Sequence, residues 1–290
     1  MSLVQTAIDP LPALMVEPIV REALLEDLGR AGDITTDAII ARSAVMTGTI
    51  RARHQGTIAG TDTAALAFRL LDPNIALTVD KPDGSRVEAG EPVISLKGSA
   101  RAILSAERVA LNFLSHLSGV ATATALLVEA VRPHKTRVVC TRKTIPGLRT
   151  LQKHAVRAGG GVNHRFGLDD AVLIKDNHVA LAGGIRPAIE RVRRAIGHLI
   201  KIEVEVDTLA QLEDVLAVGA DAVLLDNMTP EQMREAVRMI AGRAITEASG
   251  RITPANANAV AASGVDLLSA GWITHSAPVL DLGLDAAESH

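Results

Sequence analysis

Tyrosine is absent from this sequence of 290 residues, and tryptophan and phenylalanine contribute only one and three. A core must therefore be assembled from aliphatic side chains, which dominate the 48% of the chain that is apolar. That composition suits parallel α/β sheets buried on both faces. It argues against a carbohydrate cradle or a stacking platform for single-stranded nucleic acid, because both need aromatic faces. The lone cysteine, Cys140, excludes an intramolecular disulfide and any zinc site built on cysteines. No uninterrupted apolar run approaches the ~20 residues of a membrane span. Residues 1–10 carry Asp9 and no cationic stretch, a poor match to a signal peptide. A cytoplasmic protein without a membrane partner is the expectation.

Net charge is small, −3, but the charges are unevenly spread. Residues 132–178 hold ten Lys/Arg against three acids, Asp169, Asp170 and Asp176. The rest of the chain is correspondingly acidic. A basic island in an acidic chain fits either an anionic small ligand or a solvated basic face. Nucleic acid fits less well, since a polyanion calls for basic excess over a whole surface.

Periodicity divides the chain in two. Residues 17–28 read as a helix, residues 32–36 as a turn, and residues 48–60 as a strand hairpin. Residues 76–98 read as antiparallel strands around the turn Pro82-Asp83-Gly84, and residues 101–117 as a helix. From about Val138, short apolar runs recur at 138–140, 171–174, 200–206, 222–225, 244–246 and 267–268, separated by helical stretches such as 209–218 and 230–241. Strands alternating with helices mean βαβ units and a parallel sheet. Six such units favour a complete or partial barrel over a doubly wound sheet, whose Gly-rich phosphate turn is missing here.

These runs end in Arg142-Lys143, Lys175-Asp176-Asn177, Glu205-Val206-Asp207, Asp226-Asn227, Glu247-Ala248-Ser249-Gly250 and Ala270-Gly271. In α/β barrels the C-terminal strand ends converge on the active site. Arg142, Lys143, Arg165 and Lys175, with His164 beside them, would bring several cations to one mouth, where only a bound anion relieves their repulsion. Arg suits planar carboxylates and Lys suits phosphate. Glu205 and Asp226, one βα unit apart, suit Mg2+ and ribose hydroxyls, or simply neutralise the cations. Ser249-Gly250 and Ala270-Gly271 let backbone N–H groups approach a phosphate. Gly159-Gly160-Gly161 is a weaker version of that signal, and His275 a lone histidine after the last turn.

The string Thr141-Arg142-Lys143-Thr144-Ile145-Pro146-Gly147-Leu148-Arg149 resembles the signature of the quinolinate phosphoribosyltransferases. In order along nearly the whole chain, Gly32-Asp33-Ile34-Thr35-Thr36, Glu107 to Asn112, Gly159 to Arg165, Leu173 to His178, Glu203 to Asp207, Leu224 to Asn227 and Glu247 to Gly250 extend the likeness. The resemblance implies an open, seven-stranded α/β barrel spanning residues 118–275. It also implies an N-terminal mixed α/β sandwich domain, residues 1–117, joined by the tail at about 276–290. It implies a homodimer, or a higher assembly of it, with each site completed by the neighbour. Arg108, Arg142, His164, Arg165 and Lys175 would hold the quinolinate carboxylates. Lys143, Glu205, Asp226, Ser249, Gly250, Ala270, Gly271 and His275 would meet phosphoribosyl pyrophosphate, with Mg2+ near Glu205 and Asp226. Lys143, Lys175, Glu205 and Asp226 would carry the catalysis: phosphoribosyl transfer to quinolinate with loss of CO2, giving nicotinate mononucleotide for NAD biosynthesis.

Three positions depart from the family pattern: Arg251 stands where a second glycine is expected, Trp272 where alanine is usual, and Cys140 where Asp or Ala is common. The first two fall near the expected phosphate end. Rival readings are a Schiff-base aldolase using Lys175, a divergent relative of the molybdenum-associated type, and a lipoyl- or biotin-carrier module suggested by residues 83–90. Lys175 is flanked by cations and shows no evident acid partner for carbonyl chemistry, the cation set argues against the second, and the modifiable lysine turn is missing for the third.

Overall fold

The computed structural model describes residues 8–286, so Met1–Ala7 of the leader expectation and the last four residues of the expected tail lie outside it. The chain divides into two compact units. The first takes the N-terminal part up to residue 125 together with 144–160 and the stretch from 273; the second takes 126–143 and 161–272. Residues 144–160 thus group with the N-terminal unit, whereas the expected boundaries keep them in the barrel.

The first unit opens with α1 (Ala13–Leu28) and α2 (Ile34–Ile39). Asp33 caps α2 by accepting a hydrogen bond from the Thr36 N–H at 2.9 Å, so the segment expected as a turn is a helix start. There follow β1 (Val45–Ala52), β2 (Gly56–Thr57), α3 (Thr61–Leu71), β3 (Ala76–Val79), β4 (Arg86–Val87), β5 (Pro92–Ser99) and α4 (Ala100–Val131). The hairpin expected at 48–60 does not form. β1 pairs antiparallel with β5, and β2 pairs with β4. Local alternation marks a strand but cannot choose its partner; here the partner lies tens of residues away.

Helix α4 is longer than expected and, by length and composition alone, could cross a membrane, with an 18-residue window of mean hydropathy 1.4. That corrects the expectation that no segment qualifies. Its apolar residues are interspersed with polar ones rather than contiguous, and more than half of the window is buried inside the structure, as in a core helix.

The second unit begins within the last turns of α4, at residue 126, and its first strand is β6 (Arg137–Val139). The chain then passes α5 (Arg149–Ala158), in the first unit, before β7 (Val172–Ile174), α6 (Asp176–Ala182), α7 (Ile185–Ala195), β8 (Ile202–Val206), α8 (Leu209–Val218), β9 (Ala222–Asp226), α9 (Pro230–Ile240), β10 (Ile245–Ser249), α10 (Pro254–Ala261) and β11 (Leu267–Ser269). After α11 (Trp272–His275), β12 (Leu282–Ala286) returns to pair with β1, making the first unit's sheet β12-β1-β5-β3.

The six parallel strands of the second unit run in the order β6-β11-β10-β9-β8-β7. Val162 forms a parallel bridge to Val139 on the free side of β6, at the place of a seventh strand. The α/β barrel is as expected, with six regular strands and only this single bridge at the seventh position. Each of the six apolar runs read from the sequence became one of its strands. Helix starts repeat with the strands: Thr208 with Gln211, Thr229 with Gln232 and Thr253 with Asn256 form capping boxes at α8, α9 and α10. Pro230 and Pro254 occupy the first turns of α9 and α10, where a missing N–H costs nothing.

Candidate active site

Side chains alternate across a strand, so every second residue of β7 to β11 faces the barrel interior. Register aligns Leu173 with Glu203, Glu205 and Glu247 with Leu224, Ser249 with Asp226, and Glu247 with Leu267. The other parity, including Val204, Val206, Val223, Leu225, Ala248 and Leu268, is buried and apolar. The inward set lines a cavity of about 380 Å³: Leu173 and Lys175 from the end of β7, Glu205 from β8, Leu224 and Asp226 from β9, Glu247 and Ser249 from β10, and Ser269 from β11. Thr141, Arg142 and Lys143 beyond β6, and His164 and Arg165 after the Val162 bridge, complete it. The structure thus brings together all the predicted cations of the barrel mouth and both predicted carboxylates.

The basic island does not converge as a whole. Arg149, Lys153 and Arg157 belong to α5, and Lys153 is fully buried there. The cavity takes only Arg142, Lys143, Arg165 and Lys175 from the island.

Lys175 Nζ lies 2.6 Å from Glu205 Oε2, so a cation on one strand end meets a carboxylate on the next. Asp226 Oδ2 accepts a hydrogen bond from Asn227 Nδ2 at 2.6 Å. Gly250 has φ +99°, and a Cβ added there would overlap Asn227 Oδ1; only glycine keeps the β10 turn this close to β9. Arg251 also has a positive φ, +51°, a conformation more natural to the glycine expected there. Its carbonyl accepts from Asn256 Nδ2 at 3.0 Å, and the next carbonyl, of Ile252, accepts from Trp272 Nε1 at 2.8 Å. Two of the departures from the family pattern therefore meet in one turn.

His164 differs from expectation. Its Nδ1 accepts the Arg165 backbone N–H at 2.7 Å, so Nε2 carries the ring proton and points it at Glu203 Oε2, 2.9 Å away. Both nitrogens are spent on the protein, and His164 orients Arg165 rather than offering a free N–H to a substrate carboxylate. Arg165 Nη1 donates to the Ala171 carbonyl at 3.0 Å. Burial first, and then the neighbouring Arg142, pull the Arg165 guanidinium below its ordinary value, with Asp170 and Glu203 opposing. Two guanidiniums held close in a partly desolvated site make an anion receptor.

Glu203 and Glu247 were not singled out from the sequence. Both are buried, and Glu247 Oε2 lies 3.6 Å from His164 Nε2. Burial, and then the charge of Glu203, push the Glu247 carboxyl up to about 7, against the pull of His164 and the Ser269 hydroxyl. His164, Glu203 and Glu247 stand close enough to share a metal ion. The ring tautomer opposes it, because the Nε2 lone pair is already used by a proton. Acids two apart within one strand, Glu203-Val204-Glu205, were the available signal, since that spacing turns both inward.

Several predicted residues are not among those lining the cavity. Gly250, Ala270 and Gly271 form the turns just beyond β10 and β11. His275 ends α11 in the first unit, exposed, with Nδ1 2.6 Å from Ser276 Oγ. Arg108, on α4, lines a different cavity within the first unit, beside Asp33 and Ser105.

A sequence profile of the quinolinate phosphoribosyl transferase C-terminal domain matches residues 120–285, and the N-terminal domain profile matches residues 33–118. The chain belongs to the quinolinate phosphoribosyltransferase family. The nicotinate-nucleotide pyrophosphorylase [carboxylating] of Mycobacterium leprae is 46% identical over 273 residues, covering 92% of this chain and 95% of that protein. The probable enzyme of the same name from Bacillus subtilis is 41% identical over 277 residues, covering 96% and 95%. Among solved structures, the nicotinate-nucleotide pyrophosphorylase of Francisella tularensis is 41% identical, with a TM-score of 0.92 over 97% of this chain and 99% of that one. The cavity lies at the C-terminal strand ends, the face where α/β barrels carry their active sites.

Proposed function

We infer that this chain transfers the phosphoribosyl group of phosphoribosyl pyrophosphate to the ring nitrogen of quinolinate and releases CO2, yielding nicotinate mononucleotide. The observation that carries the reading is the meeting of Arg142, Arg165, Lys143 and Lys175 with Glu205 and Asp226 in one cavity. The guanidiniums match a planar dicarboxylate; the lysines match phosphate oxygens. As pyrophosphate leaves, the ribosyl carbon gains positive charge, which the carboxylates of Glu205 and Asp226 offset. The ring nitrogen, held in line by Arg142 and Arg165, attacks that carbon. The positive charge of the pyridinium so formed stabilises the electron pair left on C2 when the adjacent carboxylate departs as CO2. Positioning and fixed charge account for the rate, without a covalent intermediate on the protein.

Mg2+ fits the same donors: Glu205 and Asp226 supply hard carboxylate oxygens facing one space. Bound there, it would neutralise the pyrophosphate charge. A homodimer sharing its sites is the assembly we favour, with Arg108 reaching a neighbouring cavity; its support is a guanidinium on the outer part of α4 that does not line its own chain's catalytic cavity. We also propose a cytoplasmic setting, as for a soluble biosynthetic enzyme, noting that the relatives from rice and Arabidopsis thaliana are named chloroplastic.

The purified protein, given quinolinate, phosphoribosyl pyrophosphate and Mg2+, is expected to release CO2 and form nicotinate mononucleotide, and to leave nicotinate unreacted. Turnover of nicotinate but not quinolinate would overturn the dicarboxylate reading. For the shared site, inactive Arg108→Ala and inactive Lys175→Ala subunits, mixed and exchanged, should recover about a quarter of the activity, the share expected when one site per mixed dimer is intact in half of the dimers. No recovery after confirmed exchange would refute it.

A further inference from the structure

The most buried polar side chain lining the cavity has no part in the transfer step. Glu247 is the one acid of β10, at an inward-facing position, and only 1% of its surface is exposed. Its Oε1 has no hydrogen-bond partner although it is buried. A buried, unpartnered carboxyl oxygen costs free energy unless something else meets it, and what lies beside it is the cavity that Glu247 helps to line.

The second half of the inferred reaction leaves a chemical need unmet. When the ring carboxylate departs, the C2–carboxyl bond breaks, its electron pair stays on C2 next to the pyridinium nitrogen, and C2 must take up a proton. We propose that the Glu247 carboxyl supplies it. The O–H bond of Glu247 breaks, the C2–H bond forms, and Glu247 is left as a carboxylate that solvent reprotonates once the product has left. This rests on the quinolinate reading and adds the acid to it.

Among the groups facing this space, Glu247 alone is arranged for the task. Glu205 is paired with Lys175, and Asp226 accepts from Asn227. His164 directs its only ring proton at Glu203. Guanidinium and ammonium groups, here Arg142, Lys143, Arg165 and Lys175, are as a class far weaker acids than a carboxyl. Burial and the Glu203 charge raise the Glu247 carboxyl to about 7, so it still holds its proton near neutral pH. Glu203, His164 and Ser269 are the groups that face it directly, and His164 and Ser269 pull the other way. An acid matched to working pH is what general catalysis selects.

The test is a single-turnover experiment with quinolinate, phosphoribosyl pyrophosphate and Mg2+, quenched at intervals, following pyrophosphate and nicotinate mononucleotide separately. If the wild-type enzyme forms neither, the reaction reading fails and takes this proposal with it. If it forms both, Glu247→Gln is expected to slow nicotinate mononucleotide formation by ~100-fold or more relative to pyrophosphate release, the usual contribution of a positioned acid, and N-ribosylated quinolinate should accumulate. Pyrophosphate and product falling together would mean a binding or packing role and overturn the proposal, as would unchanged product formation. Should Glu247→Gln not fold, wild-type enzyme decides: the product-forming step alone should decline about tenfold per pH unit above a break at or above 7, as loss of one acidic proton requires. A flat profile from pH 6 to 9 would refute it.

Discussion

Replacing Lys175 by alanine is expected to lower kcat/KM by at least ~100-fold, the scale of removing one preorganised charge from the place where transition-state charge develops. The ammonium stands at the end of β7 and touches Glu205 at 2.6 Å. Its removal takes a cation from the anion-binding cavity and also strands Glu205, whose side chain is only 14% exposed. The two losses can be separated. If Lys175 merely neutralises Glu205, the loss should fall on kcat, with KM for both substrates little changed. If Lys175 meets the substrates, KM for at least one of them should rise as well. A Lys175→Ala rate within tenfold of wild type would exclude both roles.

Arg165→Ala is expected to raise KM for quinolinate by about 100-fold while KM for phosphoribosyl pyrophosphate changes by less than about threefold. Truncating one partner of a desolvated, hydrogen-bonded charge pair costs about 2–5 kcal/mol. Arg165 is held by the His164 ring through its own N–H and by the Ala171 carbonyl through its guanidinium, so it is presented in a fixed pose. Initial rates with each substrate varied in turn measure the split. Equal rises in both KM values would assign Arg165 to general charge balance instead. The nearby Arg142 raises the cost of holding Arg165 charged until an anion arrives.

The barrel strands were legible because a strand buried on both faces is a short apolar run, and six of them recur between helical stretches. The residues at their C-terminal ends were legible for the same reason: the barrel's geometry makes strand end and cavity wall the same place. Lys175, Glu205, Asp226 and Ser249 could thus be named from position alone. The false hairpin at 48–60 shows the opposite case, since β1 found its partners in β5 and in β12, more than 200 residues further along. Likewise the motif from Thr141 to Arg149 reads as one continuous string, yet its first three residues line the barrel cavity and the rest belong to the other unit.

By itself, then, the sequence determined the aliphatic core, the parallel βα repeat and the residue types at the mouth, because composition and period two act through neighbours in the chain. The tertiary structure decided the protonation chemistry. His164 gives its ring nitrogens to Arg165 and Glu203, and the Glu247 carboxyl is pushed up to about 7, only because strands distant in sequence enclose them together. A carboxyl's acidity is set by how much water and which charges surround it, and that is known only once the chain has folded.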